Sequence, residues 1–165
     1  MSGILICYDG SADSRAAVEQ AAKLFAGETA SVLTVWEPYV ELVVRTSMGF
    51  VPSIPDADEV DEASRKAAET RAAEGAALAA QFGLAATPKA ASHSTTTALA
   101  ILAEADAMDA TAIVMGSRGL TGVKSLLLGS VSHELIQHAD RTVVVVPSPE
   151  VAASRARTLR DEDSS

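Results

Sequence analysis

The chain has 165 residues, 48% of them hydrophobic but only 4% aromatic, one cysteine, and a formal charge of −9 from 13 Lys and Arg against 22 Asp and Glu. That is the length of one domain, with a core that alanine, valine and leucine must build and no internal disulfide. So acidic a chain disfavours nucleic acid or an anionic membrane surface as a main partner. The first residues, Met1 to Tyr8, hold no basic segment leading into a long apolar one, and no apolar run approaches eighteen residues. The expectation is a soluble, cytoplasmic protein with no signal peptide and no membrane span.

Gly3 to Tyr8 predicts a short buried strand. Asp9-Gly10-Ser11 then turns the chain, and Ser11 or Asp13 is placed to cap a helix from Asp13 to Ala26. Val18, Ala21, Ala22 and Phe25 give that helix one apolar face, and Gly27 stops it. Ser31 to Trp36 reads as a second strand, so strand, helix and strand make a parallel unit with a right-handed crossover. Pro38 to Pro55 fits a loop, a short hairpin or a helical turn, and a connection this long is uncommon without a function. Asp58 to Phe82 is alanine-rich and helical, ended by Gly83. Leu84 to Ala91 is the third strand, which Pro88 confines to an edge. Ser94 to Thr97 offer caps for a helix carrying Ala98, Ile101, Leu102 and Ala105. Ala112 to Met115 is the fourth strand, Ser130 to His138 a helix, and Thr142 to Val146 the last strand, closed by Pro147. Residues 150–165 are polar and charged and read as a disordered tail. The order predicts an α/β fold, an open doubly wound parallel five-stranded sheet, in a single domain over residues 1–149. Such sheets take ligands beyond the carboxyl ends of their strands. Two ends stand out, at Asp9 and at Gly116.

The stretch from Ile113 to Ser132 carries the chemistry. An apolar strand gives way to Gly116, Gly119 and Gly122 with two cations, Arg118 and Lys124, and then to Gly129-Ser130 at a helix start. Glycine lets backbone approach a ligand closely, and free N–H groups at a helix N-terminus favour an anion. The pattern predicts a phosphate cradle. It is not a P-loop, because Val123 separates Gly122 from Lys124-Ser125. Nor is it a dinucleotide fingerprint, because the glycines recur every third residue.

The spacing Gly116-x2-Gly119-x9-Gly129-Ser130 resembles the nucleotide-binding signature of the universal stress protein family. Ile4 to Ser14 is similar to the family's opening strand and Asp-Gly-Ser turn, and the last strand with its proline is similar as well. Residues 37–95 carry no motif of the family. Thr142 stands where proline is frequent, and Ser92 with His93 where glycine or an acid is common. The resemblance implies a flavodoxin-like, adenine nucleotide alpha hydrolase-like fold. It also implies ATP as ligand, alone or with Mg2+, with AMP as the other adenine nucleotide, and a homodimer through Val143 to Val146. By position it assigns Asp9 to the nucleoside near the ribose and the backbone around Tyr8 and Val35 to the adenine. Met115 and Gly116 fall under the nucleoside, and Arg118 and Gly119 near the phosphates. Gly129, Ser130, Val131 and Ser132 bind phosphate through N–H and hydroxyl groups.

Each of these residues also has a plainer role. Asp9 can cap the turn that follows it, Met115 can be core filler, Arg118 a solvated loop cation, and Ser130 and Ser132 ordinary helix caps. Cys7 reads as a small buried hydrophobe. His93, His133 and His138 lack metal-ligand spacing. The function expected is an ATP-binding regulatory module of the stress response. The alternatives are a slow ATPase or autophosphorylating protein, for which no water-orienting base is evident, and a nucleotide-independent interaction protein.

Overall fold

Five short segments lie side by side, and the three inner ones are covered on both faces. The structure, a computed structural model, describes residues 3–46, 56–119 and 128–163. Strands β1 (Ile4–Cys7), β2 (Ala30–Trp36), β3 (Ala86–Ser92), β4 (Ala112–Gly116) and β5 (Thr142–Val146) form one parallel sheet in the order β3-β2-β1-β4-β5. β1 is central, with Ile4 opposite Ala30 on one side and Ala112 on the other. Side chains alternate across a strand. Ile4, Ile6, Tyr8, Val32 and Val114 meet helices α1 (Ala12–Leu24) and α3 (Ala57–Gln81) on one face. Leu5, Leu33, Ile113 and Met115 meet α4 (Thr97–Ala107) and α5 (Ser130–His138) on the other. Burial on both faces is why β1, β2 and β4 read as near-continuous apolar runs. The strand order reverses between β1 and β4, so their carboxyl ends open a crevice.

The expected α/β fold, an open doubly wound parallel sheet of five strands, is therefore the fold observed. β3 lies at an edge, with Pro88 opposite Val32, where a residue without an N–H is tolerated. Ser11 caps α1, its hydroxyl accepting from the Ser14 N–H at 3.2 Å, and Thr96 caps α4 by accepting from Leu99 at 3.3 Å. α3 seats on the sheet through small residues: Ala68, Ala72, Gly75, Ala76 and Ala79 are buried. At Gly75 the approach is so close that a Cβ would lie 2.7 Å from Val32 Cγ1 and 2.8 Å from the Tyr8 ring.

One segment that the sequence reading left open is helical, and another differs from it. Within the Pro38–Pro55 excursion, residues Tyr39–Thr46 form helix α2. Val43 is buried, the Leu42 N–H donates to the Pro38 carbonyl at 3.1 Å, and Arg45 grips Glu37 through two contacts of 3.0 and 2.6 Å. The rest of the excursion, residues 47–55, lies outside the described residues. The segment expected to be a disordered tail is helix α6 (Pro149–Asp163). Ser148 accepts from the Val151 N–H at 3.4 Å, proline occupies the first helical position, and Val151 is buried. Among the described residues no helix is long and apolar enough to cross a membrane.

Gly75→Ala tests the α3 contact. Alanine would gain about 1 kcal/mol of helix propensity, but overpacking of a tight core contact costs about 1–3 kcal/mol. We expect net destabilisation in urea denaturation, and a variant as stable as the parent would contradict the packing described.

Candidate functional site

The crevice between the ends of β1 and β4 is a cleft of about 480 Å³. All eleven residues singled out in the sequence line it: Tyr8, Asp9, Val35, Met115, Gly116, Arg118, Gly119, Gly129, Ser130, Val131 and Ser132. Cys7, Leu33, Val35, Ile101 and Met115 give it an apolar side, drawn from the face of the sheet that α4 covers. The glycines, serines and Arg118 give it a polar side. Gly122 and Lys124, from the same motif, lie outside the described residues.

Four hydrogen bonds meet at one buried serine and shape the polar side. The Ser117 N–H donates to the Val146 carbonyl at 2.9 Å, and its hydroxyl donates to Asp13 Oδ2 at 2.6 Å. Its carbonyl accepts from the Gly129 N–H at 2.7 Å and from the Ser132 hydroxyl at 3.0 Å. Asp13 Oδ2 also accepts from the Arg118 N–H at 3.1 Å. Gly116 is what admits α1 to this point, since a Cβ there would stand 2.7 Å from Asp13 Cβ and 2.9 Å from Ser14 N. The start of α1, the loop after β4 and the start of α5 are thereby fixed to one another.

The individual residues divide as follows. Asp9 Oδ1 accepts from the Ser11 N–H at 2.9 Å, so it does cap its turn. Its Oδ2 lies against Gly119, where a Cβ would come within 2.8 Å. Tyr8 lines the cleft, while its ring packs into the core on the α1 and α3 face and its hydroxyl donates to Glu74 at 2.8 Å. The Ser132 hydroxyl donates to backbone carbonyls, those of Ser117 and Gly129, so it braces the helix start and leaves its N–H to face an anion. Gly129 precedes α5 with φ −72° and ψ 163°, an extended conformation open to any residue. It offers α5 no side-chain cap, whereas α1 and α4 are capped by Ser11 and Thr96. The N–H groups of the first turn of α5 thus open onto the cleft.

Sequence reasoning missed three residues. Asp13 was read only as a helix cap, Ser117 as a spacer between glycines, and Arg71 of α3, which also lines the cleft, not at all. The partners of Asp13 and Ser117 lie as far as 105 residues away along the chain, and no local pattern announces such contacts.

Burial, with Asp9 nearby, pushes the Cys7 thiol from 9.0 up to about 12. Burial and the bond to Glu74 push the Tyr8 hydroxyl from 10.0 up to about 12. Cys7 is therefore a neutral thiol and a poor nucleophile near neutral pH. Both groups hold their protons more tightly in the folded chain. The stability this contributes is complete below the ordinary values and is lost as pH rises toward about 12. Melting temperature should fall above about pH 9, and Cys7→Ala should flatten the fall. An unchanged slope in that variant would remove the thiol from the account.

A profile of the universal stress protein family matches residues 1–147. No curated protein matches the chain. Among solved structures, a universal stress family protein from Burkholderia pseudomallei is 22% identical with a TM-score of 0.65, the match covering 87% of this chain and 94% of that one. The universal stress protein from Archaeoglobus fulgidus in complex with dAMP is 17% identical with a TM-score of 0.58, covering 88% and 98%. A universal stress protein in complex with cAMP is 19% identical with a TM-score of 0.62, covering 89% and 97%. At these identities the structures speak for the fold, while the profile spans nearly the whole chain. The chain belongs to the universal stress protein family.

Proposed function

We propose that this protein binds an adenine nucleotide in the cleft, ATP before AMP, and serves as a nucleotide-dependent regulatory module in a stress response. The observation that carries the reading is the uncapped start of α5. Its N–H groups, with Arg118 beside them, offer a local site for phosphate in a chain whose overall charge is −9. The apolar side, with Val35 and Met115, suits a purine. Family members solved with dAMP and cAMP support the same ligand class. An accompanying Mg2+ would ride on the phosphates, since among the described residues no three His, Cys, Asp or Glu cluster to hold one. Asp9 is the one carboxylate among the described lining residues, and it is engaged with Ser11. That favours a binding module over a hydrolase, which needs a positioned base.

The open helix start can be closed from within. Gly129→Asp would place a carboxylate where the conformation is already that of an N-cap, and the ideal Cβ meets nothing closer than 3.4 Å. The free protein should gain a few tenths of a kcal/mol, while ATP binding should be lost through occupation of the N–H groups and repulsion. Gly129→Ala should bind ATP within a few-fold of the parent. Calorimetric titration reads the affinities, and full ATP affinity in folded Gly129→Asp would refute the cradle. For the parent, ATP at about 100 times its dissociation constant should add roughly 2.7 kcal/mol. Equal thermal shifts with ATP, GTP and tripolyphosphate would mean that only the anion is read.

The assembly we propose is a homodimer through β5. That strand ends the sheet, Val143 to Val145 are only half-buried, and such an edge can pair with its copy about a two-fold axis. Sedimentation should give a dimer at tens of micromolar protein. A monomer with and without ATP would dispose of this assembly.

A further inference from the structure

We propose that Arg71 is a ligand-binding residue of this cleft, taking the anionic part of the nucleotide from the side opposite α5. The proposal rests on the reading of the cleft as a nucleotide site and names a contact that the glycine motif does not contain.

Arg71 arrives from an unexpected direction. α3 packs on the face of the sheet away from the apolar side of the cleft. Its seam of alanines, and above all the contact of Gly75 with Tyr8 and Val32, draws the helix close against the end of β1. Arg71 stands one turn before Gly75, so its side chain extends over the strand end. There Nε and Cδ come within 3.7 and 3.8 Å of the position a Cβ on Gly10 would take. Arg71 thus joins the lining of the cleft, which Asp9 and Arg118 also line.

The charge at this point lacks a counterpart. The chain has nine more acids than cations, and Arg15, Arg45, Arg65 and Arg141 each hold an acidic partner. Arg71 forms no hydrogen bond or ion pair among the described residues. Glu74, the acid one turn along the same helix, is turned to Tyr8 and Arg15. A half-buried cation in an acid-rich chain, left without an acid and facing a cleft, is placed for an anion from outside. Its planar fork matches two phosphate oxygens at once, a geometry that lysine does not offer.

The test compares ATP with adenosine, which share a base and ribose and differ in charge. Titration of the full chain and of Arg71→Ala should show ATP affinity falling about tenfold or more, with adenosine affinity unchanged within about twofold. Arg71→Lys should fall between, keeping the charge without the fork. Circular dichroism melts establish that each variant is folded, and Arg71→Gln, which keeps the length, carries the same comparison if alanine disturbs α3. Unchanged ATP affinity in Arg71→Ala overturns the proposal, and so does an equal loss for ATP and adenosine, which would mark a purely structural role. A parent chain that binds neither compound fails at the earlier step and removes the nucleotide reading itself.

Discussion

The polar side of the cleft depends on a single buried serine. Ser117 is fully buried and satisfies each of its groups with a different element: its N–H with β5, its hydroxyl with α1, and its carbonyl with the start of α5. A buried polar group left without a partner costs about 1–3 kcal/mol. The four bonds therefore hold or fail together more than singly. What they fix is a direction. With the Gly129 N–H bound to Ser117, the axis of α5 points its first turn into the crevice, and the helix dipole has one place to act.

Small residues decide how near the helices come. With aromatics at 4% of the chain, the core has few large rings to fill its volume. Alanine and glycine let α3 and α1 approach the sheet closely. Gly75 and Gly116 serve the same end on two helices: each removes a Cβ that would collide with a neighbour, at Tyr8 and Val32 in one case and at Asp13 in the other. Close approach shapes the cleft as well as the core, because it lets Asp13 meet Ser117 and brings Arg71 into the lining.

Much of this was legible in the sequence. Apolar runs marked β1, β2, β4 and β5, and β3 was placed by its position in the element order. Pro88 put β3 at an edge. The family resemblance assigned eleven residues that line one cleft, although they come from separate stretches of chain. Other features were hidden for physical reasons. α2 depends on tertiary contacts, with Arg45 on Glu37 and the Tyr39 N–H on Asp61, and its local composition carries proline and β-branched residues. α6 did carry a signal, Ser148-Pro149-Glu150 as cap, first turn and acidic start, which the charged composition of residues 150–165 obscured. Arg71 and Ser117 gain meaning only from partners and neighbours far away in the chain.

The bond from the Ser117 N–H to the Val146 carbonyl has a consequence for how sequences of this shape can drift. No residue of β5 lines the cleft, and an edge strand ordinarily tolerates small insertions and deletions at its ends. Here the register of β5 against β4 runs from Thr142 opposite Ala112 to Val146 opposite Gly116, and the next bond beyond that ladder is the one to Ser117. A slip of one residue would turn the valines to the wrong faces and also withdraw the acceptor that seats the serine. The turn at Asp140-Arg141 is thus held to its length by a site it never touches, and strand five keeps its phase for the sake of the loop beside it.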